Sequence, residues 1–311
     1  MSRVVVTGAT GTIGAAVCRA LVARGDQVVA LSRDEERAQR ALGDGVEIRE
    51  WPDPTGSPSP AAALAGADAV IHLLGEPVAQ RWSAGAKARI RDSRVLGTRM
   101  LVAGLREVSA DARPTALVSQ SATGYYGPSG DRELDENAPP GDDFLARVVV
   151  DWEAEAHAAD DLLRVVTTRT GVVLSPSGGA LAQMLPPFRA GVGGPVAGGR
   201  QYVPWIHLDD VVGALLFSLD SADASGAVNL TAPVPITNRE LSAALGRALH
   251  RPAVLPVPGF ALRLLYGEMA SIVTTGQRAV PARLRTLGFE FGHPELDAAL
   301  ADVLSQAARS G

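Results

Sequence analysis

Lysine is almost missing from this chain of 311 residues. Lys87 is the only lysine among 29 basic residues, so the other 28 are arginine. Chemistry that needs an amine side chain must use Lys87 or do without. Cysteine is equally scarce. Cys18 stands alone, which excludes an internal disulfide framework and a Cys-cluster metal site and fits a reducing compartment. No apolar run approaches the ~18–20 residues of a membrane span, and the apolar helix expected over 258–274 is interrupted by Arg263 and Glu268. No signal-peptide core fits before Gly8, Gly11 and Gly14. The formal net charge is −5, and the basic run 81–99 has no interleaved aromatics, so neither nucleic acid nor a membrane surface is expected as a partner. The expected setting is the cytoplasm, the expected state a monomer or homodimer, and the expected partner a small molecule.

What is present is ordinary globular composition, 46% hydrophobic and 20% charged, enough for one large or two smaller domains. Residues 4–7, 28–31, 46–50, 69–74, 116–119 and 165–169 read as short strands. Several are apolar without alternation, as in strands covered on both faces. Helical patterns lie between them at 13–24, 35–42, 60–64, 86–108 and 144–160. This rhythm predicts an α/β fold, a Rossmann-type doubly wound parallel sheet with right-handed crossovers. After residue 170 the rhythm breaks, through a Gly- and Pro-rich segment, a helix at 209–219, a strand at 228–230 and a mostly helical tail. The expected division is a nucleotide-binding domain over 1–170, completed by about 206–232, and a smaller, mostly helical C-terminal lobe from 171–205 and 233–311.

The strongest local signal is VVVTGATGTIGAAVCRAL. A strand enters Gly8-x-x-Gly11-x-x-Gly14 and a helix starts near Thr12. Small residues let the backbone approach a pyrophosphate, and the helix N-terminus offers free N–H groups and a positive dipole end. Gly8, Thr10, Gly11, Thr12, Ile13 and Gly14 are therefore expected to bind a dinucleotide. At the end of the second strand stand Ser32 and Arg33, where an acidic residue would select NAD. A guanidinium suits a 2′-phosphate, so the expected cofactor is NADP(H). Asp34, one position late, keeps a ribose contact open as the alternative. Leu74, Gly75 and Glu76 leave the fourth strand, Ser119 and Ser121 the fifth, and Gly171 and Val172 the sixth. All point to the crevice beyond the strand ends, where ligands lie.

These residues resemble the extended branch of the short-chain dehydrogenase/reductase superfamily over nearly the whole chain. TGATGTIG is similar to its glycine loop, SATGYYG to its serine–tyrosine segment, and WIHLDD to its late helix start. HLLGEPV, DSRVLGTRML, DDFLARVVVDWEAEA, GGRQYVPWIHLDD and the tail from PGFALRLLYGEMA resemble the subgroup called epimerase family proteins. The superfamily's chemistry rests on Asn, Ser or Thr, Tyr, and a Lys four residues after the Tyr. That spacing puts the last two on one helix face, where the Lys binds the nicotinamide ribose and prepares the Tyr for proton transfer.

Here the composition becomes decisive. Four residues after Tyr125, Tyr126, Tyr202 and Tyr266 stand Ser129, Gly130, Ile206 and Ala270, so no YxxxK exists. Aligning on Glu153 puts Leu145 at the Tyr position and Val149 at the Lys position, on an apolar face with Val148 and Trp152. Arg94 stands where the family has Asn, and only the serine remains, as Ser121. Candidate catalytic residues are then Ser121, to hydrogen-bond the reacting group, Tyr125 of the Tyr125–Tyr126 pair, and Arg94, which binds negative charge but cannot act as an acid. Arg94 has a structural alternative, an ion pair with Asp92 or Glu76. His72 reads as a buried, hydrogen-bonded histidine and Asp209 as a helix cap, so no metal site is expected. Lys87 reads as solvated. The acidic loop 131–143 is either a lid or a plain surface loop. Gln201 and Trp205 are candidate pocket walls. The leading function is an NADP(H)-dependent oxidoreductase of atypical chemistry acting on a small, possibly anionic substrate. The alternatives are a non-catalytic NADP(H) sensor and a sugar-nucleotide epimerase.

Overall fold

The run Val4–Val5–Val6 has no outward face to give away, and all three residues are fully buried, as they must be in a strand with helices on both sides. The computed structural model describes residues 1–175 and 178–310. Its main strands are β1 (Arg3–Thr7), β2 (Gln27–Ser32), β3 (Val46–Glu50), β4 (Ala69–His72) and β5 (Ala116–Ala122). After the short β6 (Glu133–Leu134) comes β7 (Arg164–Thr170). After β8 (Val172–Leu174), β9 (Tyr202–Val203) and β10 (Trp205–His207) comes β11 (Gly226–Leu230). The seven-stranded sheet runs β11-β7-β5-β4-β1-β2-β3, and every pairing in it is parallel. The expected Rossmann-type doubly wound sheet is therefore present. The strand order reverses between β1 and β4, which opens a crevice at their carboxyl ends.

Helices α1 (Thr12–Ala23), α2 (Glu35–Leu42), α3 (Ala61–Leu64), α4 (Ala84–Glu107), α5 (Phe144–His157), α6 (Gly179–Arg189) and α7 (Leu208–Asp220) follow in order. On one face Val17 and Leu21 of α1 and Val211 and Leu215 of α7 pack with Val4, Val6 and Val118. On the other, Leu101 and Leu105 of α4 and Ala156 of α5 pack with Val5, Val70 and Leu117. The C-terminal part adds β12 (Ile236–Thr237), α8 (Asn238–Leu249), α9 (Gly259–Tyr266), α10 (Ser271–Thr274), β13 (Arg278–Ala279), α11 (Ala282–Thr286) and α12 (Leu296–Ser310). Leu181, Trp205, Leu241, Leu245 and Val303 form a further apolar cluster there.

Several boundaries differ from the pattern-based reading, among them β4, which ends at His72 rather than 74. β5 runs to Ala122 rather than 119, because it stays paired with β7 through Ser121↔Arg169 and Ala122↔Thr170. The start of α7 is capped by His207, not Asp209: the His207 Nδ1 accepts the Asp209 N–H at 3.1 Å. The apolar stretch 258–274 is not one helix, since Gly267 at φ 64° ends α9 and a 3-10 turn precedes α10.

At the end of β4, His72 is fully buried. Its Nδ1 lies 2.7 Å from the Thr7 hydroxyl and its Nε2 3.0 Å from that of Thr98. Burial pushes this imidazole from 6.5 down to about 3, so folding favours the neutral form. The stability this carries is intact above pH 6.5 and is lost as pH falls from there toward 3. Thermal melts between pH 7.5 and 4.5 are expected to show a His72→Gln variant that is weaker than wild type at neutral pH but falls less steeply. The difference in slope should be about 1 kcal/mol per pH unit. Parallel curves would contradict a neutral buried His72.

Candidate functional site

The crevice begins where β1 ends. Gly8 follows with φ 64°, and a Cβ there would lie 2.4 Å from the Leu73 carbonyl oxygen, so glycine alone lets β1 turn against β4. A Cβ on Gly14 would lie 2.3 Å from the Gly8 oxygen, which presses α1 onto the loop. Gly11 caps α1 without a side chain. The N–H groups of Thr12, Ile13 and Gly14 therefore have no intrahelical acceptor, a ready place for phosphate oxygens. The chain beyond β8 returns to this loop, since a Cβ on Gly178 would lie 3.0 Å from Thr12 Oγ1.

A cavity runs from this loop along the end of β2, lined by Gly8, Thr10, Ser32, Arg33, Trp51, Pro54 and Leu74 among others. The structure thus brings the glycine loop and the Ser32–Arg33 pair to one cavity. Asp34 is committed elsewhere: its carboxylate accepts the Arg37 N–H at 2.9 Å as the cap of α2. Ser32 Oγ spans to the Asp34 backbone. Arg33 is exposed and has no hydrogen bond or ion pair among the described residues. Trp51 and Pro54 carry no motif and lie in the Pro-rich stretch WPDPTGSPSP that follows β3.

At the end of β4, Leu74 packs into the place left by Gly97 of α4, where a Cβ would lie 2.8 Å from Leu74 Cδ2. Neither ion pair foreseen for Arg94 forms. Its Nη1 donates to the carbonyl oxygens of Glu76 and Ile90, both at 3.0 Å. Asp92 meets Arg91, and the Glu76 carboxylate lies 3.7 Å from Arg89. The Arg94 guanidinium sits 5.3 Å from the Trp152 ring centre, and burial pulls its pKa down to about 10. The guanidinium therefore lies over an indole with no carboxylate within ion-pair distance among the described residues.

Below the crevice lies a buried polar network. Ser121 Oγ donates to Glu153 Oε1 at 2.5 Å. Arg169 grips the same carboxylate with two hydrogen bonds, Nε to Oε1 at 2.8 Å and Nη2 to Oε2 at 2.9 Å. Its Nη1 donates to the Tyr126 hydroxyl and to the Glu136 carbonyl, both at 3.1 Å. Tyr126 in turn donates to Asn229 Oδ1 at 2.7 Å. Burial raises the Tyr126 phenol to about 12, so it stays protonated. Burial opposes the charge on Arg169, but Glu153 outweighs it and holds the guanidinium above its ordinary value. Arg169 and Asn229 were not singled out from sequence. The available signal was a charged or amide side chain inside an apolar strand, which demands a buried partner.

The two tyrosines separate. Tyr126 is buried, whereas Tyr125 is half-buried, with the Arg169 guanidinium 3.4 Å from its ring centre and no partner for its hydroxyl among the described residues. A Cβ on Gly124 would lie 3.6 Å from Leu145 Cβ, so the tyrosine turn runs close to α5 there. Val148, Val149 and Trp152 are buried and Leu145 is half-buried, so this helix face is apolar and largely packed.

Other candidates sit differently from expectation. Ser119 is fully buried and its hydroxyl has no partner in the described structure. The Gly171 and Val172 N–H groups are taken by the Leu230 and Pro204 carbonyls. Gly171 is needed because a Cβ would lie 2.1 Å from the Pro204 oxygen. Trp205 is core, 1% exposed, and Gln201 bonds the Val196 and Val273 carbonyls, so neither is a free pocket wall. The acidic loop is not a loose lid: β6 pairs with β13, and Glu136 accepts the N–H groups of Asn229 and Arg283. Lys87 is not simply solvated. Its Nζ lies 2.6 Å from Glu268 and 4.9 Å from the Phe144 ring centre, which ties the start of α4 to the C-terminal part. His207, Asp209, His293 and Asp302 bring possible ligand atoms within 4.8 Å. The two imidazoles are stacked at 3.7 Å and 24°, however, so their lone pairs do not converge on one point.

The chain matches the family model described as NAD dependent epimerase/dehydratase family over residues 4–231, and a domain of unknown function, DUF1731, over 257–303. An Arabidopsis thaliana chloroplastic homolog of the epimerase family protein SDR39U1 is 40% identical over 96% of this chain and 86% of its own length. The Mycobacterium tuberculosis epimerase family protein MT2273 is 43% identical over 96% of both. The crystal structure of human SDR39U1 with NADPH superposes with TM-score 0.87 at 35% identity, covering 97% of this chain and 99% of that one. MoeE5 with UDP-glucose and NAD has TM-score 0.77 at 22% identity, covering 99% of each chain, a likeness of fold.

Proposed function

The chain belongs to the NAD-dependent epimerase/dehydratase family, and within it we propose an NADP(H)-dependent oxidoreductase of atypical short-chain dehydrogenase type, acting on a small, anionic substrate. The observation that carries this reading is the cavity joining the glycine loop to Ser32 and to Arg33, which has no partner among the described residues. The NADPH in the crystal structure of human SDR39U1 supports it. Gly8 to Gly14 would hold the pyrophosphate, Ser32 and Arg33 the 2′-phosphate, and Leu74 and Gly75 the path toward the nicotinamide. The cofactor, when bound, supplies or takes a hydride.

The chain's own task is to orient the substrate and handle the proton. Ser121 has one proton and it lies on Glu153, so toward the crevice Ser121 acts as an acceptor for a substrate hydroxyl. Tyr125 is the proposed proton donor, with its hydroxyl uncommitted. Arg94 counters negative charge. Residues 171–205 and 233–311 are the proposed substrate lobe, tied over the crevice by Lys87–Glu268. A reducing compartment such as the cytoplasm suits the lone buried Cys18. A second reading, a non-catalytic NADP(H) sensor, is favoured by one observation: the packed face of Leu145, Val148 and Val149 leaves no Tyr–Lys chemistry.

Two experiments decide. Arg33→Ala should weaken NADPH binding about tenfold or more while sparing NADH, since charged hydrogen bonds to phosphate are lost. Equal loss of both would remove Arg33 from phosphate recognition. Incubation with NADPH deuterated at C4 and a metabolite extract should then show stereospecific loss of label. Tight binding with no loss across the extract would establish the sensor instead.

A further inference from the structure

Apolar side chains outside the core collect in one place. Among the described residues thirteen large apolar side chains are exposed, and eight of them lie between Val254 and Val273. The other five, Met1, Val22, Val150, Val192 and Val234, are scattered along the chain, as single surface hydrophobes commonly are. The centre of the cluster is α9. None of its residues is buried, and Phe260, Leu264 and Leu265 are 76%, 79% and 64% exposed. Its one charge is Arg263. A helix this short is marginal alone, and α9 leaves its longest apolar side chains in water.

The surroundings extend this face. A Cβ on Gly259 would lie 3.6 Å from Thr274 Cγ2, so the end of α10, with the exposed Ile272 and Val273, sits beside the start of α9. The segment before α9 is held by hydrogen bonds from the Ala197 N–H to the Val257 carbonyl and from the Val257 N–H to the Pro195 carbonyl, both at 2.9 Å. It presents Val254 and Leu255, and Val254 also lines an open groove with Gly246 and Ala253 at the end of α8. At ordinary side-chain sizes the eight residues expose roughly 800 Å². The largest apolar patch on a typical monomer is about 300–600 Å², and one partner of a stable interface buries about 800 Å².

An apolar face is complementary to itself, which is what a twofold interface needs, since both copies offer the same residues. The outer surfaces of α4 and α5 instead carry ion pairs such as Arg99–Glu155 and Arg91–Asp151. The net charge of −5 and the exposed Glu268 that follows α9 give an anionic lipid surface no purchase on this face. We propose that the surface 254–273, centred on α9, is the interface of a homodimer in which two copies bury it against each other about a twofold axis. The dimer forms whether the chain is an oxidoreductase or a sensor.

The test is sedimentation velocity of the full chain from low to high micromolar concentration, with the mass expected to rise toward twice that of one chain. Leu264→Glu and Phe260→Ser each alter the interface twice and should raise the dimer dissociation constant about a hundredfold or more. Far-UV circular dichroism like wild type is expected of both, because the substituted side chains are exposed in the single chain. A milder variant locates the contact. The native thiol Cys18 is buried, so a short bis-maleimide should join two copies of Leu264→Cys and leave Val150→Cys, on α5, unjoined. A wild type that stays monomeric at high micromolar concentration would overturn the proposal without any variant. So would a dimer that both folded α9 variants leave intact, or one that cross-links through position 150 and not 264. A monomer that floats with neutral phosphatidylcholine vesicles would also overturn it and give the face to lipid.

Discussion

Glu153 and Arg169 meet as a bidentate pair with side chains 9% and 5% exposed, and most of the crevice floor hangs from it. The carboxylate fixes the Ser121 proton. The guanidinium fixes the Tyr126 hydroxyl, lies flat on Tyr125 and reaches the Glu136 carbonyl. One contact thereby joins β5, β7, α5, the tyrosine turn and the acidic loop. Two charges taken out of water are tolerated only when their remaining lone pairs and protons are satisfied. Here each Glu153 oxygen accepts from Arg169 and Oε1 also accepts from Ser121, while Arg169 donates through all three nitrogens.

This constraint accounts for what the helix above it carries. Within one turn of Val149, α5 already touches two guanidinium groups, Arg94 through Trp152 and Arg169 through Glu153. A lysine at 149 would add a third cation to the same buried layer. The apolar Leu145, Val148 and Val149 instead close the face. Beside this apolar face Ser121 is buried on Glu153, and Tyr125 is half-buried with its hydroxyl unpartnered among the described residues.

The crevice was legible in the sequence because its signals are local. Gly8, Gly11 and Gly14 stand within seven residues, Ser32 and Arg33 are adjacent, and the missing lysine is visible by counting. The network beneath was not legible, because its members come from distant segments. Ser121 and Glu153 are 32 residues apart, and Tyr126 and Asn229 are 103 apart. No local spacing marks such pairs. The same distance hid the anchoring of the acidic loop, where Glu136 meets Arg283, and the role of Lys87, which reads as a solvated helix start until Glu268 is brought beside it. The capping of α7 was misassigned for a different reason. Aspartate is the common cap, and a buried imidazole that accepts with Nδ1 looks the same in sequence as one that does not.

The most direct measurement is a crystal structure of the chain with NADPH, read around nicotinamide C4. The 2′-phosphate is expected on Arg33, the nicotinamide beside Gly75, and Ser121 still bonded to Glu153. A 2′-phosphate held away from Arg33, with Ser121 turned from Glu153 to donate toward the nicotinamide, would contradict this arrangement.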